Sequence, residues 1–197
     1  MKIKILSLLI AFCSIIKAYG QATMLYPALK KQVDSLADVD RNAGHQMLIK
    51  QTNKDSVRAL FRAVTVKHAA ILKDIFNKYG FLGYDKVGKQ GSSSFWLGVQ
   101  HADNDVAFQR AVLAKMKVEV ERKNANGSNY AYLIDRVNIN TGNAQIYGTQ
   151  MAYKADGTPV PKKLADPENV DKRRKEIGLE PLADYLKFIR QPIPQKK

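Results

Sequence analysis

The sequence contains few cysteines and few acidic residues. One cysteine occurs in 197 residues, which excludes a disulfide scaffold, a thiolate metal site and a Cys-x-x-Cys redox motif, because each needs at least two. The 18 acidic residues are outnumbered by 32 lysines and arginines, so the formal charge is +14. Hydrophobic residues make up 45% of the chain, which argues against wholesale disorder and favours a globular domain.

Several common functional motifs are also absent from the sequence. It has no Walker-type phosphate loop, no Gly-x-Ser-x-Gly elbow and no His-Glu-x-x-His pair. The three histidines are scattered, so we predict neither a metal site nor a cofactor. No RNA-recognition, zinc-finger or helix-turn-helix signature accompanies the basic charge, so nucleic acid is not among the predicted partners.

The longest apolar run lies at the N-terminus. Ile5–Ile16 follows two lysines and precedes small residues at the −3 and −1 positions before Gln21, an order typical of a secretory signal peptide. The run is too short to span a bilayer, which takes about 20 residues. We therefore predict cleavage after Gly20, loss of Cys13 with the peptide, and a periplasmic or secreted protein. The alternative is a retained membrane anchor.

Export would change the meaning of the basic charge. The segment 1–20 holds three lysines and no acid, so its removal lowers the formal charge from +14 to +11. Outside the inner membrane, the available anions are envelope lipids, glycans and acidic polymers. We therefore predict a polar or anionic small molecule or an envelope component as partner, and no stable membrane span after cleavage.

Helical periodicity dominates the remaining chain. Apolar residues recur at spacings of three and four after Leu25, within 61–79 and within 108–120, which predicts amphipathic helices. The polar stretch 38–53 predicts at most a short helix, and the four glycines of 80–91 predict turns. We expect one compact, mainly α domain over residues 21–190, followed by a flexible tail, 191–197.

The hydrophobic period changes near residues 145–162. The segment 145–153 is rich in Tyr, Thr and Ile, and it is followed by Asp156-Gly157, a pair typical of two-residue hairpin turns. The two prolines of 158–162 permit only an edge strand on the return. We therefore predict one small β-hairpin near residues 145–162.

His101 is the side chain best suited to proton transfer near neutral pH. It lies in Gln100-His101-Ala102-Asp103, directly after an aromatic, apolar stretch. Either His101 acts as a general acid or base, or it bridges two helix ends by a hydrogen bond. Asp103 correspondingly either orients the imidazole or caps the next helix.

The pair Asp135-Arg136 stands at the edge of an apolar helix face. Neighbours at i and i+1 on a helix point in different directions, so each needs its own partner. Asp135 is either a catalytic carboxylate or part of a structural network. Arg136 has a planar fork that suits an anion or a carboxylate.

The run 145–150 combines amides and hydroxyls. On a strand, Gln145, Tyr147 and Thr149 share one face, and a bulge at Gly148 would bring Gln150 to the same side. Such a face suits hydrogen bonding to a polar ligand. The alternative is the solvated face of an edge hairpin.

These motifs resemble a bacterial family that is catalogued as a domain of unknown function. The matching residues are Gln100-His101-Ala102-Asp103, Gln109, Asp135-Arg136-Val137 and Gln145-x-Tyr147-Gly148-Thr149-Gln150. The resemblance spans roughly residues 36–185. The chain departs from the family pattern at Leu82, where we expect Pro, and behind Asp40, where we expect Gln and Arg. The resemblance supports the list of site residues and implies no activity.

Two functions fit this set of residues. The first is an exported enzyme of hydrolase or transferase type. Its catalytic residues would be His101, Asp103 and Asp135, and its substrate would be held by Gln100, Gln109, Arg136, Gln145, Tyr147, Thr149 and Gln150. The second is a non-catalytic binding or interaction module that uses the same side chains for recognition or structural bridging, because amides do not exchange protons at neutral pH.

Overall fold

The computed structural model describes residues 24–49 and 54–190, so the predicted signal peptide and the predicted tail lie outside the described residues. The described chain forms seven α-helices and one two-stranded sheet, which confirms the mainly α fold with a small hairpin. No helix in the described ranges is long and apolar enough to cross a membrane. The elements are α1 (Pro27–Ile49), α2 (Lys54–Tyr79), α3 (Tyr84–Gln100), α4 (Val106–Glu121), α5 (Gly127–Asn140), β1 (Met151–Tyr153), β2 (Pro159–Pro161), a 3-10 turn (Pro167–Asn169), α6 (Val170–Ile177) and α7 (Leu182–Arg190).

Helix α3 lies at the centre of the fold and contacts α1, α2, α4 and α5. Phe95 and Val99 are fully buried on it. Gly98 lies where α2 crosses, and a Cβ at this position would stand 2.3 Å from Cδ1 of Leu72. Glycine therefore lets α2 and α3 approach closely just before His101, which follows the last turn of α3.

The periodicity correctly marks the core faces of α2 and α4. Leu72 and Ile75 on α2 are buried, and so are Phe108, Val112 and Met116 on α4. They join the central hydrophobic cluster around α3. These faces fix the orientation of the helices that carry the polar residues described below.

Two segments are more helical than their composition indicates. Helix α1 continues through the polar stretch to Ile49. Helix α3 begins at Tyr84 and includes a kink at Gly88, where φ is +70°. A Cβ at Gly91 would stand 3.0 Å from Cγ of Lys30. Gly80 and Gly83 lie in the turn before α3, as predicted, whereas Gly91 lets α1 pack closely on α3, and tertiary packing there overrides the low helix propensity of glycine.

The hairpin strands are shorter than predicted. Strands β1 and β2 are antiparallel, with Met151 opposite Pro161 and Tyr153 opposite Pro159. Residues 145–150 are not part of a strand, and Gln145 makes only an isolated bridge to Leu164. Polar side chains, described below, hold this segment in place instead of a β-ladder.

Candidate functional site

The imidazole of His101 is bound to a buried carboxylate. Its Nδ1 lies 2.7 Å from Oδ2 of Asp40, which is 61 residues earlier on α1. The side chain of Asp40 is 1% exposed and that of His101 is 24% exposed. Because a carboxylate only accepts hydrogen bonds, Nδ1 of the neutral imidazole carries the proton in this arrangement. Nε2 is therefore the nitrogen that can accept another proton.

Three helices meet around this pair. Asp40 lies on the buried stripe of α1 with Val33, Ala37 and Ala43. Phe61 on α2 packs edge-on against His101, with ring centroids 5.4 Å apart. Helix packing thus fixes both the carboxylate and the plane of the imidazole, a common way to preorganise a proton-transfer group.

The second carboxylate near His101 has a different partner. Asp103 accepts hydrogen bonds from Nε of Arg136 at 2.8 Å and from Nη2 at 2.6 Å. Asn140 and Gln109 also donate to it, at 2.8 Å and 3.4 Å. Burial alone would raise the pKa of Asp103, but Arg136 and the two amides outweigh it and hold the pKa below its ordinary value. The cap of α4 is Asp105, which accepts from the backbone N–H of Phe108.

A cleft of about 530 Å³ opens in front of His101. Helix α2 supplies much of its wall. Its described lining is Arg58, Phe61, Arg62, Thr65, Val66, His101, Asp103, Asn104 and Arg136. Three arginines therefore face one carboxylate. An adjoining depression of about 600 Å³ runs along α2 and shares Arg58, Arg62 and Val66 with the cleft.

A second histidine lies on the buried face of α2. His68 is buried, and its Nδ1 has no hydrogen-bond partner among residues 24–49 and 54–190. The same holds for Oδ1 of Asp40. Burial lowers the pKa of His68, the negative charge of Asp40 opposes this shift, and the positive charge of Lys67 adds to it. The interior behind His101 therefore contains a second titratable group under the influence of Asp40.

The other predicted carboxylate lies under the hairpin. Asp135 is fully buried and accepts backbone hydrogen bonds from Ile146 at 2.7 Å, Tyr147 at 3.1 Å and Thr149 at 3.0 Å. The hydroxyl of Thr149 also donates to it at 3.0 Å. Both oxygens are thus occupied by the chain's own donors. We call Asp135, Gln145 and the segment 146–150 the hairpin lock.

The side-chain amide of Gln145 in the hairpin lock also bonds to the protein's own backbone. Nε2 of Gln145 donates to the carbonyls of Gln150 and Lys162, each at 2.9 Å, and its Oε1 accepts from the backbone of Gln150 at 2.8 Å. Nη1 of the buried Arg174 donates to the carbonyl of Tyr147 at 2.7 Å. The Tyr147 ring is half-buried, and burial raises the pKa of its hydroxyl.

Gln100 and Gln109 each connect two helices. Nε2 of Gln109 donates to the carbonyl of Val99 at 3.0 Å, and Nε2 of Gln100 lies 3.4 Å from the carbonyl of Tyr132. Gln109 thus joins α4 to the end of α3, and Gln100 joins the end of α3 to α5. Both side chains are buried.

The structure thus separates the predicted residues into groups. His101, Asp103 and Arg136 line the cleft, and Gln109 supports Asp103 from below. Asp135, Gln145, Tyr147, Thr149 and Gln150 form the hairpin lock, while Gln100 lies between α3 and α5. Sequence reasoning missed three charged residues of the site, namely Asp40, Arg58 and Arg62. A carboxylate on the apolar stripe of α1 is the signal that could have found Asp40.

The fold and the site together define a helical domain with a histidine–carboxylate pair at an arginine-lined cleft. Within the described ranges, no group of three or more His, Asp, Glu or Cys side chains is placed to hold a metal ion. The chain belongs to the Family of unknown function (DUF6624), whose profile matches residues 27–196. That match includes every described helix and the hairpin. No match was found among curated proteins or among solved structures.

Proposed function

We propose that this protein is an enzyme of hydrolase or transferase type in which His101 transfers a proton and Asp40 orients the imidazole. The hydrogen bond between these two residues carries the proposal. A buried carboxylate on Nδ1 fixes the tautomer and stabilises the imidazolium that forms when Nε2 takes up a proton, as in the histidine–aspartate pairs of many hydrolases.

The cleft favours water or a substrate hydroxyl as the group that gives up this proton. Thr65 carries the one hydroxyl among the described lining residues, and its Oγ1 donates to the carbonyl of Arg62 at 3.1 Å. No cysteine or serine belongs to that described lining. The one carboxylate of the described lining, Asp103, has both oxygens bound by Arg136. A direct attack by a substrate or water oxygen, assisted by His101, is therefore better supported than a covalent intermediate.

A binding module is the second candidate, and the pair formed by Asp103 and Arg136 favours it. Two parallel hydrogen bonds already join this guanidinium to the carboxylate. A wall of satisfied polar groups can recognise a ligand without transferring a proton. Under either function, we assign the hairpin lock to structural bridging, since its amides and its carboxylate bind the chain's own backbone.

Export is part of the proposal and rests on the order of charged, apolar and small residues in 1–20. Expression of the full chain in a bacterial host, followed by cell fractionation and mass spectrometry, tests it. We expect an envelope or secreted protein that begins at Gln21. A cytoplasmic product that retains Met1 would refute export and would leave the proposal about His101 untouched.

The catalytic proposal predicts that His101→Asn abolishes most turnover. The test uses a panel of chromogenic carboxylic esters, phosphate esters, glycosides and amides. For any compound the protein turns over, we expect His101→Asn to lower kcat by at least about 100-fold, because general acid–base catalysis contributes about 10²–10⁴-fold. Asp40→Asn should lower kcat as well, with a smaller change in KM, because it acts through the imidazole.

His45→Asn is the matched control, since His45 is an exposed histidine on the same helix as Asp40. It should leave turnover unchanged. Thermal unfolding of each variant separates a lost fold from a lost proton transfer. Wild-type turnover in both His101→Asn and Asp40→Asn would contradict the roles proposed for these two residues, whereas a panel in which no compound is turned over would favour the binding module.

A further inference from the structure

We infer that the cleft takes substrates that carry a phosphate group, and that Arg58 and Arg62 bind this group. The inference rests on the proposed function only in calling the ligand a substrate. The positive charge of the cleft comes from three arginines, which line it together with His101. The hydrogen bonds and ion pairs that each guanidinium makes within the protein decide which arginines are available to an anion.

Arg136 is already committed to a partner inside the protein. Both Nε and Nη2 of its guanidinium bind Asp103. The pair is electrically balanced, and Asn140 and Gln109 hold its carboxylate from other directions. The anion site that the sequence predicts at Arg136 is therefore occupied by the chain's own carboxylate.

The two arginines of α2 are not balanced in this way. The guanidinium of Arg62 makes no hydrogen bond or ion pair with a residue in the described part of the chain. That of Arg58 lies 3.7 Å from Asp55, and both side chains are largely exposed, at 66% and 99%. An exposed pair at this distance contributes little. Two positive charges therefore face the cleft without a strong partner.

Their spacing lets them act on one ligand group. Arg58 and Arg62 are four residues apart on one helix, so their Cβ atoms are about 5–6 Å apart. Like charges at this spacing destabilise a helix. The pair is therefore unfavourable in isolation, and an anion bound between the two guanidinium groups would relieve the repulsion.

The number of donors favours phosphate over a carboxylate. One guanidinium fork satisfies the two oxygens and single charge of a carboxylate, as the pair of Arg136 and Asp103 shows. Two forks offer more N–H donors and twice the charge, which matches the additional oxygen and the second charge of a phosphate monoester. His101 lines the same cleft, so a phosphate held by α2 would lie in the space that the imidazole faces.

Titration of the purified protein with inorganic phosphate tests this inference. The readout is the Nε–Hε NMR signals of the arginines together with isothermal calorimetry, at constant ionic strength near pH 7.5. We expect phosphate to bind at least about tenfold more tightly than acetate. Arg58→Gln and Arg62→Gln should each weaken phosphate binding by about tenfold or more, since a hydrogen bond to a charged group is worth at least that factor.

The control variant is Arg110→Gln, an exposed arginine on α4 outside the cleft, which should leave the phosphate affinity within about twofold. His101→Asn should retain phosphate binding and lose turnover. Equal affinities for phosphate and acetate would overturn the inference, and so would phosphate binding that survives both Arg58→Gln and Arg62→Gln. If phosphate fails to bind while turnover still depends on His101, this inference is wrong and the proton-transfer proposal stands.

Discussion

One buried aspartate lies in the hairpin lock and another holds His101 from behind the cleft, and the two carboxylates differ in how many hydrogen bonds they accept. Asp135 in the hairpin lock accepts from three backbone N–H groups and one hydroxyl. Asp40 behind the cleft has one hydrogen-bonded oxygen, and its Oδ1 has no partner in the described chain. Their exposures are nearly the same, at 0% and 1%.

The difference shows that burial of a carboxylate does not define its role. The partners of Asp135 are groups that keep their protons at any physiological pH, so the carboxylate serves to fix a backbone. The partner of Asp40 is the imidazole of His101, which keeps a second ring nitrogen as a site for another proton and lines the cleft. The chemistry of the partner therefore separates a structural carboxylate from one suited to catalysis.

Replacing Asp135 gives the largest expected effect on stability. In Asp135→Asn the amide nitrogen faces backbone donors that can no longer be satisfied, and each unsatisfied buried group costs about 1–3 kcal/mol. We expect the free energy of unfolding to fall by about 3 kcal/mol or more. Urea unfolding monitored by circular dichroism measures it. Asp40→Asn is the matched comparison.

For Asp40→Asn we expect a loss of about 1 kcal/mol or less, because the variant changes one hydrogen bond and removes a buried charge. The comparison would fail if Asp40→Asn destabilised the protein as strongly as Asp135→Asn. That result would make Asp40 a structural carboxylate as well. The role of Asp40 in orienting His101 would then depend on the kcat of Asp40→Asn alone.

The smallest expected effect is a pH dependence of stability that belongs to His68. Burial lowers the pKa of His68 below its ordinary value of 6.5, with Asp40 opposing the shift and Lys67 adding to it. The unfolded chain therefore binds more protons than the folded one as the pH falls through 6.5. Stability contributed by the neutral imidazole is present above this pH and is lost as the pH falls toward the folded pKa.

The variant His68→Gln measures this contribution. Between about pH 7 and about pH 5, the free energy of unfolding should decrease less steeply in His68→Gln than in the wild type. Equal slopes in the wild type and His68→Gln would show that the buried imidazole is not linked to stability.

Much of the fold follows from local patterns in the sequence. The apolar spacing on α2 and α4 identified core residues such as Leu72 and Met116. The same reasoning missed the first half of α3, because Gly88 and Gly91 are read locally as turns. In the structure, Gly91 and Gly98 allow close packing against Lys30 and Leu72, a property of neighbouring helices that no local window contains.

The candidate site shows the same limit more sharply. His101, Asp103 and Arg136 are recognisable from their residue types and lie together at the cleft. The partner of His101 is not recognisable in this way, because Asp40 is 61 residues away and reaches the imidazole through the packing of α1 against α3. Sequence spacing also does not reveal that the guanidinium of Arg136 donates two hydrogen bonds to Asp103.

The sequence by itself determined the mainly helical class, the core faces of the amphipathic helices and the polar residues able to do chemistry, because these depend on composition and short-range period. The tertiary structure decided which carboxylate holds His101, which one holds the hairpin, and which arginines stay unbalanced at the cleft. The physical reason is that hydrogen bonds and ion pairs act over a few ångströms, and only packing brings distant parts of the chain within that range.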